Sequence, residues 1–154
     1  MDDKIIVTNR SVLVRKYGST GLATIRKALT ALAEADRKRG LKSRVVYLDD
    51  KASMKRMGGT AVKNVTDPRE SKAAIDSVFK SIDPDYLMIL GAPDVVPHQD
   101  LDNPAYSPPD DDDDARAWGD LPYACTAPYS RDPAHFVGPT RVIGRLPDLV
   151  NAKE

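Results

Sequence analysis

Cysteine is nearly absent from this chain. Cys125 is the only one in 154 residues, which forbids an internal disulfide and cannot build a cysteine-rich metal site. Long apolar runs are missing too, since none approaches the roughly 20 residues that span a bilayer. Met1 to Lys4 is followed by only Ile5 to Val7, too little for a secretory signal. The expectation is a cytoplasmic protein with no membrane partner. No Gly-x-Gly-x-x-Gly follows that first apolar segment, so Asp49-Asp50 has no dinucleotide loop to serve, although acidic residues in such a place sometimes hold a ribose. Net charge is also absent, but the zero hides an asymmetry. Residues 1–80 hold 18 Lys and Arg against 9 Asp and Glu, and residues 81–154 hold 5 against 14. No aromatic-rich or Gly-rich stretch interleaves with the charges of the basic half as a base-stacking platform needs, so nucleic acid is not an expected partner. The asymmetry reads as one basic and one acidic solvated face.

What is present reads as a single α/β domain over residues 1–154, long enough to bury a real core. Tyr86 to Leu90 is a continuous apolar run between Pro84 and Gly91. It is too short for a helix and suits a strand covered on both faces, the usual case in a parallel sheet. Gly91, Pro93 and Pro97 then take the chain abruptly off the sheet, at the end where ligands gather in open α/β folds. Ile5-Ile6-Val7 predicts a first strand, which Val12 to Val14 extends or pairs with. Ser19 and Thr20 offer caps for a helix to about Arg39, with Leu22, Ile25, Leu29 and Leu32 as its apolar stripe. Ser43 to Leu48 predicts a second strand, and Asp49-Asp50 the cap of a short helix reaching Met57. Asp67-Pro68-Arg69-Glu70 is a helix start, and Ala74, Ile75, Val78, Phe79 and Ile82 its buried face. Thr140 to Leu146 returns as a strand, after which Pro147-Asp148 resembles a helix start. The expected architecture is a three-layer sandwich around a mainly parallel four-stranded sheet. Its strands lie near 4–8, 43–48, 86–90 and 141–145, in the order 2-1-3-4, with helices near 20–39 and 68–82.

Eleven of the twelve prolines lie in residues 84–154. Proline removes donors and blocks helix, so 97–139 is expected to be a long loop excursion of the functional or disordered kind. Trp118, with Tyr106 and Tyr123, is expected to anchor it. Asp110, Asp111, Asp112, Asp113 and Asp114 are consecutive carboxylates whose repulsion a calcium ion would relieve. The glycine turn and terminal Glu of an EF-hand are absent, so the expectation is a solvated acidic loop without metal or other cofactor. Cys125 and His98 invite a thiol dyad, which needs a base within hydrogen-bond reach of the sulfur and donors for an oxyanion. The prolines around both residues, and the lack of a glycine after His98, favour a packed small thiol instead.

Three stretches carry a family resemblance. Tyr86-Leu-Met-Ile-Leu-Gly-Ala-Pro-Asp-Val-Val-Pro97 resembles the strand-Gly-x-x-Asp-x-Ile/Val-Pro segment of gingipain-type cysteine peptidases, members of the caspase-like clan. Gly119-Asp120-Leu121-Pro122-Tyr123-Ala124 resembles their Ser/Gly-Asp-x-x-Tyr element, and Arg141-Val-Ile-Gly-Arg-Leu-Pro147 their Val-x-Ile-Gly-Arg-Phe/Leu strand. Order and rough spacing agree over residues 85–147. In that family these motifs belong to the N-terminal subdomain of the catalytic unit. The catalytic His, in a Gly-His-Gly context, and the nucleophilic Cys come later, on a second parallel-sheet subdomain. No Gly-His-Gly occurs here, so the resemblance assigns a catalytic role to no residue of this chain. It implies a half-domain inactive alone, whose partners are the C-terminal catalytic half, in cis or as a separate chain, and the peptide or protein substrate of the whole enzyme. A stand-alone protein-interaction domain is the alternative, and a thiol enzyme using His98 and Cys125 the third.

Overall fold

Ile5, Ile6 and Val7 are all fully buried, as only a strand covered on both faces allows, and they form the centre of β1 (Lys4–Thr8). A computed structural model describes residues 2–107 and 114–148 of the chain. β1 lies between β2 (Ser43–Tyr47) and β3 (Tyr86–Leu90), and β6 (Val142–Leu146) pairs with the far side of β3. All three pairings are parallel, so the order is β2-β1-β3-β6. The predicted sheet is therefore observed, with β6 as its fourth strand.

The register divides the side chains between two faces. Lys4 pairs with Tyr86 and Tyr86 with Val142; Ile6 pairs with Met88, and Leu90 with Leu146. These residues share what we call the front face, and Ile5, Val7, Leu87, Ile89, Ile143 and Arg145 share the back. α1 (Arg10–Lys38) covers the β1–β2 half of the front. Its buried Asp36 accepts hydrogen bonds from Lys4 Nζ, Ser43 Oγ and Arg39, each at 2.5 Å. Across the back runs α3 (Pro68–Ile82), burying Ala74, Ile75, Val78, Phe79 and Ile82 as its spacing predicts. Asp67 caps it by accepting from the Arg69 N–H at 2.8 Å, and Pro68 occupies its first position. The short α2 (Lys51–Arg56) is capped by Asp50, which accepts from the Ser53 N–H at 2.7 Å.

Three expectations need correction. Val12 to Val14 is neither strand nor strand extension but part of the first turns of α1. The helix starts at Arg10 because Asp49, at the end of β2, accepts the N–H groups of Arg10 and Ser11 at 2.9 and 2.7 Å. Gly18, at φ 67° and ψ −177°, breaks the helix in two, and the break falls where Ser19 and Thr20 marked a helix start. The 97–139 excursion is not all loop: β4 (Gln99–Asp102) and β5 (Arg116–Gly119) form an antiparallel ribbon. Trp118 does not anchor it, being 62% exposed on β5, and Tyr106 is exposed too. Tyr123 is the anchor, fully buried with its hydroxyl donating to the Pro97 carbonyl at 2.7 Å. No helix among the described residues is long and apolar enough to cross a membrane.

Candidate functional site

At the carboxyl ends of β3 and β6 the chain must leave the sheet without stranding its polar groups, and two clusters do this. The first is built on Arg145, which lies on the back face of β6. Its guanidinium grips both oxygens of Asp120, from Nε at 2.7 Å and from the second terminal nitrogen at 2.6 Å. The remaining nitrogen donates to the carbonyls of Gly91 at 2.7 Å and Val96 at 2.8 Å. His98 Nδ1 stands 3.0 Å from the same carboxylate. Burial pushes the Asp120 carboxyl up, but the Arg145 hydrogen bonds and charge, with His98 adding to them, outweigh it and hold it below the usual carboxylate range. The planar fork of arginine suits this place, since lysine offers neither the bidentate geometry nor the two further donors.

The loop that Arg145 holds depends on Gly91. Its φ is 123°, and a Cβ built there would lie 2.5 Å from the side chain of Val95. Val95 and Val96 both donate their N–H groups to Ala92 at 2.9 and 3.1 Å, closing a tight turn. Asn9, fully buried at the end of β1, donates from Nδ2 to the Val95 carbonyl at 2.8 Å. The Oδ1 of Asn9 and the hydroxyl of Thr8 are buried with no hydrogen-bond partner among the described residues.

The second cluster opens toward the front face. Asp148 accepts from the Ala92 N–H at 2.6 Å and from Lys16 at 2.7 Å, and the Tyr17 hydroxyl donates to it as well. Lys16 also reaches Asp94 at 2.9 Å. Desolvation pushes the Asp148 carboxyl up, yet Lys16, Tyr17 and the Ala92 N–H bring it below its ordinary value. Residues 147 and 148 are not themselves helical, and the helix expected to start there falls on residues 149–154, outside the described residues. Beside Asp148 lies an open groove of about 350 Å³ between α1 and β3, with Leu13, Gly21, Ile25 and Leu90 in its walls.

The two residues of the thiol hypothesis make separate bonds. Cys125 is buried in a small apolar cluster with Leu101 and Phe136, and its thiol donates to the Phe136 carbonyl at 3.6 Å. Its own carbonyl accepts from the fully buried Lys72 at 3.2 Å, which also pairs with Asp76 at 2.6 Å. His98 is bonded to Asp120, and among the described residues no hydrogen bond joins it to Cys125. Of the calcium candidates, Asp110, Asp111, Asp112 and Asp113 lie outside the described residues. The carbonyl of Asp114 accepts from Asn103 at 2.8 Å. Among the described residues no three His, Cys, Asp or Glu side chains gather as a metal site.

Asp148, Lys16 and Tyr17 escaped the sequence reading because nothing local marks residues 131 positions apart as partners. Arg145 and Asp120 had a signal, since each falls in one of the stretches that carried the resemblance. Compared with family models, curated proteins and solved structures, the chain matched none.

Proposed function

We propose that this chain is the N-terminal, non-catalytic subdomain of a gingipain-like cysteine peptidase of the caspase-like clan. On this reading the His-Cys dyad is supplied by a C-terminal catalytic half, in cis or as a separate chain, and this half is inactive alone. One observation carries it. The three stretches with the family's motifs, distant in sequence, are tied together by the single side chain of Arg145, which holds the Gly91 and Val96 carbonyls and the Asp120 carboxylate. Residues engaged in this way define the shape of a sheet edge rather than do chemistry, as expected of motifs that support a site completed elsewhere. A scaffold needs rigid supports of this kind behind the reacting groups.

The coding sequence beyond Glu154 tests the proposal. A Gly-His-Gly segment followed by an apolar strand ending in Cys is the expected finding, and peptide hydrolysis should then appear only when both halves are present. A downstream region without those two elements, together with no separate chain that carries them and restores peptide hydrolysis when mixed with this one, would defeat it. The second reading, a stand-alone protein-interaction domain, has its own observation: Tyr106, Trp118, Leu121 and Val137 are exposed large apolar side chains, all within the excursion.

A further inference from the structure

β2 lies at one edge of the sheet, and its outer side is unguarded. Lys4 donates to the Lys42 carbonyl at 3.0 Å and Leu48 to the Thr8 carbonyl at 2.9 Å, a register that turns the N–H and carbonyl groups of Arg44 and Val46 toward β1. Those of Ser43, Val45 and Tyr47 therefore point outward. The Tyr47 carbonyl accepts from the Asp50 N–H at 3.1 Å, and the rest of these groups meet no partner among the described residues. Proteins blunt such an edge with proline, a bulge or an inward-pointing charge. β2 has no proline and pairs without a bulge. Its one charge, Arg44, lies on the back and is tied to Asp2 at 2.9 Å.

Along this edge, on the front, α1 and β2 bound an open groove of about 310 Å³, with Arg26, Leu29, Thr30, Ala33, Val45 and Tyr47 in its walls. α1 runs from the carboxyl ends of the strands, where Asp49 holds its start, to their amino ends, where Asp36 meets Lys4 and Ser43. Its buried Leu22, Leu29 and Asp36, seven residues apart, face the sheet. The same periodicity sets Arg26, Thr30, Ala33 and Arg37 in one line along the flank above β2. Arg26 and Arg37 have no ion pair among the described residues. Glu34, the one exposed carboxylate of α1, stands a step further round toward solvent. The groove thus has an apolar middle and an unpaired cation toward each end.

We propose that this edge is a docking site for an extended acidic peptide, which adds beside β2 as a further strand and lays alternate side chains in the groove; this goes beyond the function proposed above and does not depend on it. Backbone and side chains choose the occupant together. An added strand satisfies the outward groups of Ser43, Val45 and Tyr47, and every second side chain of it falls on the front. Arg26 and Arg37 are eleven residues apart, about 16 Å along a helix. Five residues of strand span about 13 Å from first to last. A segment with carboxylates at its first and fifth positions and an apolar residue at its third brings one acid to each arginine. Its apolar side chain then meets Leu29, Ala33 and Val45. A second copy suits the edge badly. Antiparallel pairing of β2 with β2 would set the two α1 flanks about two strand spacings, roughly 10 Å, apart, arginines against arginines. Nor does the described path of the chain lead a further segment here. Asp148, from which residues 149–154 continue, sits on the opposite flank of α1 with Tyr17. Residues 108–113 belong to the excursion, which Gln99 and Lys72 tie to α3 on the back.

Hydrogen exchange and a peptide titration, both read by nuclear magnetic resonance on the labelled chain, test the site. In the free chain the amides of Val45 and Tyr47 should exchange about a hundredfold faster than those of Arg44 and Val46. Protected outward amides would show the edge already covered by another part of the chain and would overturn the proposal. The chain is then titrated to millimolar concentration with a capped seven-residue peptide, Ser-Glu-Thr-Val-Thr-Glu-Ser. Saturable shifts centred on Thr30, Ala33, Ser43, Val45 and Tyr47 are expected. Exchanging both peptide glutamates for lysine should weaken binding at least tenfold, and so should methylating the peptide nitrogens that face β2. In the chain, Arg26→Glu and, independently, Arg37→Glu should weaken it at least fivefold while the spectra stay dispersed. Absent shifts, shifts centred on another face, or equal binding of the lysine or methylated peptide would overturn the site. So would sedimentation showing a dimer of the chain that the peptide dissociates, since a second copy would then hold the edge.

Discussion

Residues that hold several partners should be the least replaceable. Arg145 is 10% exposed at its side chain and makes four bonds through its guanidinium. Arg145→Met leaves Asp120 with His98 alone and takes the guanidinium donor from two carbonyls, and should cost on the order of 3 kcal/mol, read by urea unfolding. Arg145→Lys should recover little of it. Asp36 sets a pH dependence on the front face. Burial raises its carboxyl, but Lys4, Ser43 and Arg39 bring it down to about 2 from 3.8. Its folded value lies below its unfolded one, so the contribution to stability is present above pH 4 and is lost as the pH falls through 2. Acid unfolding of Asp36→Asn should show lower stability at neutral pH and a shallower fall between pH 4 and 2; an unchanged slope would contradict the assignment. Cys125, packed against Leu101 and Phe136, has a different expectation. Alkylation at neutral pH should be sluggish, and Cys125→Ala should cost on the order of 1 kcal/mol. Fast alkylation that His98→Ala abolishes would revive the dyad.

Elements here are set by their ends as much as by their interiors. Gly91→Ala meets both a positive φ and the Val95 side chain at 2.5 Å, and should cost on the order of 3 kcal/mol. Gly18→Ala meets only the backbone cost, since nothing lies within 4 Å, and at φ 67° and ψ −177° about 2 kcal/mol is expected. Thermal unfolding of the two variants side by side checks the ranking. The same distinction explains what could be read from the sequence. β1, β2, β3 and β6 were legible because each is a short apolar or β-branched run between turn residues, and α3 because Asp67-Pro68 announces it. The first turns of α1 were not, because the cap that starts them is Asp49, some 39 residues away. The β4–β5 ribbon was hidden because Gln-Asp-Leu-Asp and Arg-Ala-Trp-Gly carry no β-branched residue and only one aromatic. In the candidate site the motif positions Gly91, Asp120 and Arg145 stood out, but that one arginine joins them was beyond any local pattern.

For the molecule as a whole, the expectation is that the purified chain cleaves no peptide, with or without calcium, because among the described residues the Cys125 thiol is bonded to the Phe136 carbonyl and has no hydrogen bond to His98. Hydrolysis lost in both Cys125→Ala and His98→Ala would end the half-peptidase reading. The Arg145 clamp also has a consequence in time. Its hydrogen bonds reach back 25, 49 and 54 residues, and among the described residues β6 is the strand of the sheet that comes last in chain order. The carboxyl edge thus stays unlatched until the rest of the sheet exists, and closing it is a late event with a high loop-closure cost. Arg145→Met should therefore leave the refolding rate nearly unchanged and speed unfolding, whereas Ile75→Val, in the early β1–α3 packing, should slow refolding. The last strand acts as a bolt: it does little to gather the chain and much to keep the gathered chain from opening.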